Sequence, residues 1–315
     1  MNLTDARQVA PGKTRAMLPT GDGEGLPVWV IEGSRPGPTL VLTAGVHGNE
    51  YVGIVALRRL FDDVDGDSLA GRLVLLPVVN EEGFHAGAKR VVPSDGKNLN
   101  AIFPVATPGE GVCHSAAERI AWAIQTEVYP EADFLLDLHG GEVNEAMCPL
   151  VFFPVDAGTE VEAATRAAAA CLEVGFRVRS HATDGLYSNA AQQGIPAMLL
   201  EVGGLGQWDE ELVALELRSL GNLMAHLGMG GSATANDAQV EVPRTSYVCA
   251  SARGLWLPAA TRGMRVAAGE VLGVLESLEG ELLDTVFAEF DGTVLYNTVA
   301  LGVCAGDHLV AFGEC

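Results

Sequence analysis

Short apolar runs alternate with longer segments of helical periodicity between residues 39 and 228. The longer segments, such as YVGIVALRRLF and WDEELVALELRSLGNLMAHLG, repeat apolar residues at the spacing of one helix face. The short runs are TLVLTAGV, GRLVLLPVV, ADFLLDLH, LVFFPV and AMLLEVGG. Because strands that are covered on both faces are apolar throughout, this alternation predicts an α/β fold with a mixed sheet flanked by helices.

The pattern changes after GMGGSATANDAQ, a small and polar stretch at residues 228–239. The residues that follow form many short β-rich runs separated by glycine, which predicts a smaller all-β unit. We therefore expect two domains, an α/β domain over residues 1–235 that carries the chemistry and a β-rich domain over residues 240–315. The second is similar in layout to the barrel-sandwich domains that carry biotin or lipoate. Between its halves, however, SLEGELLD has no lysine to modify.

Charge and cysteine usage exclude several classes of partner. The chain has 19 Lys and Arg against 41 Asp and Glu, a formal net charge of -22, which repels phosphate backbones and anionic membranes. No run reaches the eighteen or so apolar residues of a membrane span, and the six cysteines form no C-x-x-C pair. We predict a cytoplasmic protein that acts on a small molecule without nucleic acid or membrane, with homo-oligomerisation left open.

One candidate metal site combines three residues at predicted strand ends. His47 and Glu50 follow the run TLVLTAGV, and His139 ends the run FLLDLH. We expect Gly45 and Gly48 to let the backbone turn so that the first two side chains converge. Ligands gather at the carboxyl ends of strands in open α/β sheets, and hydrolytic zinc commonly binds two histidines and one carboxylate. The sequence therefore predicts a zinc site.

Two acidic residues on the predicted strands fit the surroundings of such a site. Asp137 lies two residues before His139 on the same strand face, where it could hold the imidazole. Glu201 ends the apolar run AMLLE, where a charge is unfavourable unless it is paired or used. A carboxylate near a metal can act as the general base that activates water, although a surface glutamate at a strand end is the alternative.

Four motifs occur in an order that resembles the succinylglutamate desuccinylase and aspartoacylase family, relatives of the zinc carboxypeptidases. The resemblance covers roughly residues 38–228. The motifs are GVHGNE at 45–50, GAKRVVPSDGKNLNAIFP at 87–104, DLHGG at 137–141 and IPAMLLEVGG at 195–204. The resemblance implies a zinc-carboxypeptidase-like fold with zinc bound by His47, Glu50 and His139. It also implies that Glu201 is the general base and that Arg90 polarises the scissile carbonyl and stabilises the oxyanion.

The chain departs from the family at the substrate carboxylate. Asn100 matches the asparagine of an asparagine–arginine pair that holds this carboxylate, but the expected arginine is Ala101. Alanine cannot replace a bidentate guanidinium. Either another cation supplies the contact, or the substrate is not an acyl-aspartate-like dicarboxylate and can carry an amine instead, as an acylated diamino acid does. The candidate cations are Arg58, Lys89 and Lys97.

The sequence thus predicts a zinc-dependent hydrolase that cleaves the N-acyl amide bond of a small molecule. Tyr187 and Asn189, which precede the Glu201 strand, are further candidates for the substrate pocket, and we expect the β-rich domain to narrow it. One alternative is a zinc carboxypeptidase or peptide amidase on the same scaffold. Another is a binding module without turnover, which a missing ligand or base would indicate.

Overall fold

The structure, a computed structural model, describes residues 11–21, 25–107 and 114–315 of the chain. Over these residues the α-helices are α1 (Tyr51–Asp63), α2 (Glu81–Ala86), α3 (Ala116–Ala123), α4 (Thr159–Ala169), α5 (Leu186–Gln192) and α6 (Glu210–His226). The strands are β1 (Gly12–Leu18), β2 (Leu26–Glu32), β3 (Arg35–Ala44), β4 (Ala70–Leu76), β5 (Val91–Val92), β6 (Lys97–Asn98), β7 (Phe134–His139), β8 (Glu145–Met147), β9 (Leu150–Pro154), β10 (Phe176–Ser180), β11 (Ala197–Glu201), β12 (Val240–Val242), β13 (Thr245–Cys249), β14 (Gly254–Pro258), β15 (Arg265–Val266), β16 (Val271–Glu276), β17 (Leu282–Phe287), β18 (Gly292–Thr298), β19 (Gly302–Val303) and β20 (His308–Gly313).

A nine-stranded mixed sheet forms the larger part of the molecule, with strand order β1-β2-β4-β3-β7-β11-β9-β10-β12. The four central strands β4, β3, β7 and β11 are parallel, whereas β9 runs antiparallel to β11. Because β3, β7 and β11 are neighbours and point the same way, their carboxyl ends meet at one edge of the sheet.

Helices cover both faces of this sheet. Alternate residues of the central strands, such as Leu42 and Leu136, pack with α1 and α6 on one face. The residues between them, such as Val41 and Leu135, pack with α3 and α5 on the other face. This burial on both sides accounts for the continuous apolar runs in the sequence.

The C-terminal part contains two small antiparallel sheets. One has the order β13-β20-β18-β15 with β8 added alongside β18, and the other has the order β17-β16-β14-β19. Residues from both sheets, including Trp256 and Phe312, share one apolar core. The structure confirms the predicted fold class, a mixed α/β sheet flanked by helices with additional antiparallel sheets.

Two strand pairings connect the large sheet with the C-terminal part. β12 pairs with β10 at the edge of the nine-stranded sheet, so the chain enters the small sheets at β13. β8, which follows His139 by a short loop, pairs with β18 of the C-terminal part. The division at residues 235 and 240 stays a prediction. Within the described ranges, none of the helices has both the length and the apolar character of a membrane span.

Two glycines shape the turn between β3 and α1, for different reasons. Gly45 has a φ of 65°, the left-handed conformation that the predicted turn requires. Gly48 instead allows a close approach, because a Cβ atom there would overlap the backbone of Gly83 and Phe84 in α2.

We therefore expect Gly48→Ala to force α2 away from the turn. Overpacking of this kind should lower the free energy of unfolding by at least about 1–3 kcal/mol, measured by denaturant titration. The matched control is Gly175→Ala, because a Cβ atom there meets nothing within 4 Å. Equal stability of the two variants would contradict the close approach.

Glu216 is a fully buried carboxyl on α6, and neither of its oxygens has a hydrogen-bond partner among the described residues. Burial, with a further contribution from the charge of Glu201, raises the pKa of Glu216 well above 4.5. The folded chain therefore keeps this proton at pH values where the unfolded chain has released it. The resulting stabilisation is complete at low pH and is lost as pH rises through the folded-state pKa.

Above about pH 5, and as far as the raised folded-state pKa of Glu216, this group should make the free energy of unfolding fall with pH by up to about 1.4 kcal/mol per unit. Glu216→Gln cannot ionise, so we expect its stability, measured by denaturant titration across that range, to fall less steeply than that of the wild type. The exposed variant Glu279→Gln should keep the wild-type slope. Identical slopes for Glu216→Gln and the wild type would contradict the raised pKa.

Candidate metal centre and active site

The carboxyl ends of three adjacent parallel strands carry the central residues of the site. His47 and Glu50 lie in the turn after β3, His139 is the last residue of β7, and Glu201 is the last residue of β11. Glu201 pairs in register with His139. The sheet topology, rather than closeness in sequence, therefore brings these side chains together.

Glu50 bridges the two histidines. Its Oε1 atom lies 2.8 Å from Nδ1 of His47, and its Oε2 atom lies 2.9 Å from Nδ1 of His139. One ligand atom from each of the three residues lies within 4.8 Å of the others, which makes them a group that could hold a metal ion. Glu50 and His139 are buried, and His47 is nearly so.

A second carboxylate supports the imidazole of His139 from behind. Oδ2 of Asp137 lies 3.0 Å from Nε2 of His139, and Oδ1 of Asp137 accepts a 2.6 Å hydrogen bond from the Thr43 hydroxyl. This contact was expected from the position of Asp137 on the strand. It leaves Nδ1 of His139 facing Glu50, so the orientation of the ring is fixed.

The electrostatics of this group favour a positive charge. Burial opposes ionisation of Glu50, but the charges of His47 and His139 and their hydrogen bonds outweigh it and lower the pKa of Glu50 to about 2. Burial also disfavours a charged His139, yet Asp137 and Glu50 raise the pKa of His139 well above its ordinary value. The neighbouring carboxylates thus favour a positive charge on the imidazole of His139.

Glu201 lines the cavity that also contains His47, Glu50 and His139, and one of its carboxyl oxygens makes no hydrogen bond to the described residues. Its Oε2 atom is buried and has no hydrogen-bond partner among the described residues. Burial raises the pKa of Glu201 to about 8; His139 opposes this shift, whereas the charges of Glu50, Glu145 and Asp137 add to it. A buried carboxyl without a partner is typical of a group that acts on a ligand.

Arg90 lines the cavity and is held by two glutamates. Its Nε atom donates to Oε1 of Glu142 at 2.9 Å, and its Nη2 atom donates to Oε1 of Glu145 at 2.8 Å. Its backbone adopts a φ of 62°, which is uncommon for a residue with a side chain. Lys89 also approaches Glu142, at 3.0 Å. The two glutamates fix the direction in which the guanidinium points.

Asn100 lines the cavity, and Ala101, next to it, is exposed and does not. Oδ1 of Asn100 accepts a hydrogen bond from the backbone of Leu186 at 2.9 Å. Its neighbour Asn98 also lines the cavity, with Oδ1 3.1 Å from Nε2 of His47. None of the three substitute cations considered from the sequence lines this cavity; they are Arg58, Lys89 and Lys97.

Tyr187 and Asn189 are not among the residues that line this cavity, and their role in the substrate pocket stays a prediction. Both lie on α5, which packs against the sheet, and both are buried in that packing. The hydroxyl of Tyr187 donates to Ser180, and Oδ1 of Asn189 accepts a hydrogen bond from Gln193. Their polar groups thus serve contacts around the helix.

The cavity, of about 270 Å³, contains all the residues of the metal group and Glu201. The C-terminal part contributes much of the cavity wall; the sequence predicted that this part narrows the pocket but did not identify the residues. These residues are Thr245, Tyr247, Leu295, Tyr296, His308 and Ala311. Glu142 and Glu145 were also missed, although two carboxylates three residues apart directly after DLHGG were a signal for them.

Comparison with known proteins agrees with this arrangement. Residues 36–227 match the family model of the succinylglutamate desuccinylase/aspartoacylase catalytic domain. These residues make up more than half of the chain and include the three candidate ligands, Arg90 and Glu201. The chain belongs to this family. Its membership supports its assignment as a deacylase, a hydrolase that acts on N-acyl amides.

Individual relatives cover nearly the whole chain. N-alpha-acetyl-L-2,4-diaminobutyric acid deacetylase of Halomonas elongata is 29% identical over 92% of this chain and 85% of its own length. The product-bound structure of the ectoine utilization protein EutE (DoeB) from Ruegeria pomeroyi is 26% identical, with a TM-score of 0.86 over 98% of this chain and 97% of that chain. A succinylglutamate desuccinylase/aspartoacylase structure from Rhodobacter sphaeroides is 27% identical, with a TM-score of 0.82 over 97% and 94% of the two chains.

Proposed function

We propose that this protein is a zinc-dependent deacylase that hydrolyses the N-acyl amide bond of a small amino acid and releases a carboxylate and an amine. One observation carries the proposal. A possible ligand group of two histidines and one carboxylate shares a cavity with Glu201, whose buried Oε2 atom has no hydrogen-bond partner among the described residues. Water attack on an amide requires both parts, a Lewis acid and a base.

The donor set fits zinc. Two imidazole nitrogens and a carboxylate are the usual protein ligands of hydrolytic zinc, and the surrounding carboxylates favour a cation there. His47, Glu50 and His139 would hold the ion, and Asp137 would orient His139. When bound, zinc supplies Lewis acidity, which polarises a carbonyl group and promotes the ionisation of water.

Glu201 is the group that moves the proton. Its unpartnered oxygen is available to accept a proton from the attacking water and to deliver it to the nitrogen of the leaving amine. With a pKa of about 8 it holds that proton readily near neutral pH. A cation between the three ligands would lower this pKa and favour the carboxylate form that accepts the proton.

Arg90 stabilises the oxygen on which negative charge develops. Two of its guanidinium nitrogens are bonded to Glu142 and Glu145, which leaves Nη1 for a substrate oxygen. A donor that is already oriented needs no rearrangement when the charge appears, so it favours the transition state over the ground state.

The charges of the cavity favour a substrate that carries an amine. Arg90 is the one permanent cation among the described lining residues, and its charge is already balanced by Glu142 and Glu145. The Halomonas elongata relative is a deacetylase of N-alpha-acetyl-L-2,4-diaminobutyric acid. We therefore propose an N-acetylated diamino acid as the substrate, with Nδ2 of Asn100 available to its α-carboxylate.

The same charges weigh against the carboxypeptidase or peptide amidase alternative. The C-terminal carboxylate of a peptide is usually held by a guanidinium group through two hydrogen bonds. Arg90 is committed to two glutamates, and the arginine that the family uses is Ala101. We do not propose this activity.

A substrate panel tests the function. Nα-acetyl-2,4-diaminobutyrate, N-acetyl-aspartate, N-succinyl-glutamate and a dipeptide would each be incubated with the zinc-loaded protein, and the released amine would be measured. We expect kcat/KM to be highest for the acetylated diamino acid. A preference for the dicarboxylates would contradict the amine-bearing substrate, and hydrolysis of none of the compounds would contradict the deacylase.

A further inference from the structure

The C-terminal sheet presents a row of three residues to the cavity. Tyr247 on β13 pairs with Ala311 on β20, and Ala311 pairs with Tyr296 on β18. All three residues line the cavity. Because neighbouring strands lie about 4.8 Å apart, the backbones of the two tyrosines are roughly 10 Å apart. Ala311, whose side chain is small, lies between the two tyrosines and packs with Tyr296 and Met147, and we call the three residues Tyr247, Ala311 and Tyr296 the Tyr-Ala-Tyr row.

The hydroxyl of Tyr296 in this row has no partner. Tyr296 is 8% exposed, and its Oη atom is buried without a hydrogen bond to any described residue. Oγ1 of Thr245, two residues before Tyr247 on the same strand, is also buried and unpartnered. Buried hydroxyls are nearly always hydrogen-bonded, so these two, which line the cavity, are available to bind a ligand.

A short segment of chain connects the Tyr-Ala-Tyr row with the three candidate metal ligands. β8 pairs with β18, and Met147 of β8 lies opposite Tyr296. β8 begins at Glu145, which binds Arg90, and His139 lies only six residues earlier in the chain. The row is therefore held at a fixed position relative to the reacting atoms, as a specificity site requires.

The charges around the row favour a cation. Burial raises the pKa of Tyr296, and the carboxylates of Glu145 and Asp307 raise it further against the opposing charge of Arg90. The phenol therefore stays neutral at physiological pH and can accept a hydrogen bond from an ammonium group. Tyrosine rings also attract ammonium groups over their faces. Glu142, Glu145 and Asp307 outnumber the two cations beside them, Arg90 and Lys89, so this region favours an ammonium group over a carboxylate.

We propose that the Tyr-Ala-Tyr row is the specificity site for the side-chain amine of the substrate. The ammonium group lies over Ala311, donates a hydrogen bond to the hydroxyl of Tyr296 and contacts the aromatic faces of Tyr247 and Tyr296. This assignment rests on the proposed deacylase function, since it names the part of the substrate that extends away from the scissile amide.

Two pairs of compounds test the row. The first pair is Nα-acetyl-2,4-diaminobutyrate and N-acetyl-2-aminobutyrate, which differ by the side-chain amine, and the second is their deacetylated products. The ratio of kcat/KM would be measured for the first pair, and the ratio of Kd would be measured by calorimetry for the second pair. These two ratios define the preference for the amine.

Tyr296→Phe removes only the hydroxyl group. We expect this variant to lower the preference for the amine by about tenfold or more, mainly through KM.

Two further variants complete the design. Ala311→Leu places a larger side chain between the two tyrosines, where the ammonium group is proposed to lie, and should remove the preference for the amine. Thr285→Val, on β17 of the other small sheet, removes a hydroxyl that does not line the cavity and should leave both ratios unchanged. If Tyr296→Phe keeps the wild-type preference, or if it weakens both members of a pair equally, the assignment is wrong.

The binding measurement separates this inference from the proposed function. Suppose the wild-type protein hydrolyses both acetylated compounds but binds 2,4-diaminobutyrate no better than 2-aminobutyrate. This result would refute the assignment of the Tyr-Ala-Tyr row as an amine site and would leave the proposed deacylase function unaffected. A protein that hydrolyses neither compound would overturn the deacylase. In that case a loss of 2,4-diaminobutyrate binding in Tyr296→Phe would still support an amine site at the row.

Discussion

Glu201→Gln is expected to lower kcat by about two to four orders of magnitude while the zinc content remains that of the wild type. The amide side chain keeps the size of the carboxyl but cannot accept the proton of the attacking water. Steady-state kinetics with Nα-acetyl-2,4-diaminobutyrate would be compared with elemental analysis of the same samples. Loss of turnover with the metal retained separates a base from a ligand.

The matched control for this experiment is Glu173→Gln. Glu173 is a partly exposed glutamate that pairs with Arg218 and does not line the cavity, so its variant should keep the wild-type kcat. A kcat of Glu201→Gln within about threefold of the wild type would remove Glu201 from the role of base.

His47→Ala is expected to weaken zinc binding by more than about 100-fold and to abolish turnover with it. Changes to residues that merely support a ligand already weaken metal binding by about 10–100-fold, and loss of a ligand should cost more. His47 lies in the turn after β3 and contacts Glu50 and Asn98, so its removal leaves the apolar core unchanged. Zinc affinity would be measured by competition with a chromophoric chelator.

The control for this variant is His85→Ala, because the side chain of His85 is 70% exposed and lies outside the cavity. It should bind zinc as the wild type does. An unchanged zinc affinity in His47→Ala would contradict the proposed ligand set.

The fold could be predicted from local patterns because burial repeats along each element. Leu40, Leu42 and Leu136 belong to one face of the sheet and Val41 and Leu135 to the other, so both kinds of position had to be apolar. The pairing of β8 with β18 had no such signal. It joins residues about 150 positions apart, and only the packed C-terminal part brings them together.

The candidate site divides in the same way. His47, Glu50, His139 and Glu201 follow strand ends, and parallel neighbouring strands bring such positions together. For Tyr187 the sequence gives a position on α5 near the Glu201 strand, which does not reveal which way the side chain faces. Glu142 and Glu145, which bind Arg90, were not predicted from the sequence. Two glutamates in a loop are usually exposed to solvent, and only the folded structure shows that these two are buried.

Tyr296 illustrates the part that a sequence cannot supply. It occurs in the strand GTVLYNT, where a tyrosine is an ordinary residue of a β-rich run. Its interest arises from the unpartnered hydroxyl and from its position beside Ala311, both of which depend on tertiary contacts.

The most direct test of the account is removal and return of the metal from the wild-type protein. Dialysis against a chelator should abolish hydrolysis of Nα-acetyl-2,4-diaminobutyrate, and about one equivalent of zinc per chain should restore it, since His47, Glu50 and His139 form one ligand group among the described residues. Circular dichroism would verify that the metal-free chain remains folded. Full turnover by a folded protein that contains no metal would contradict the central claim.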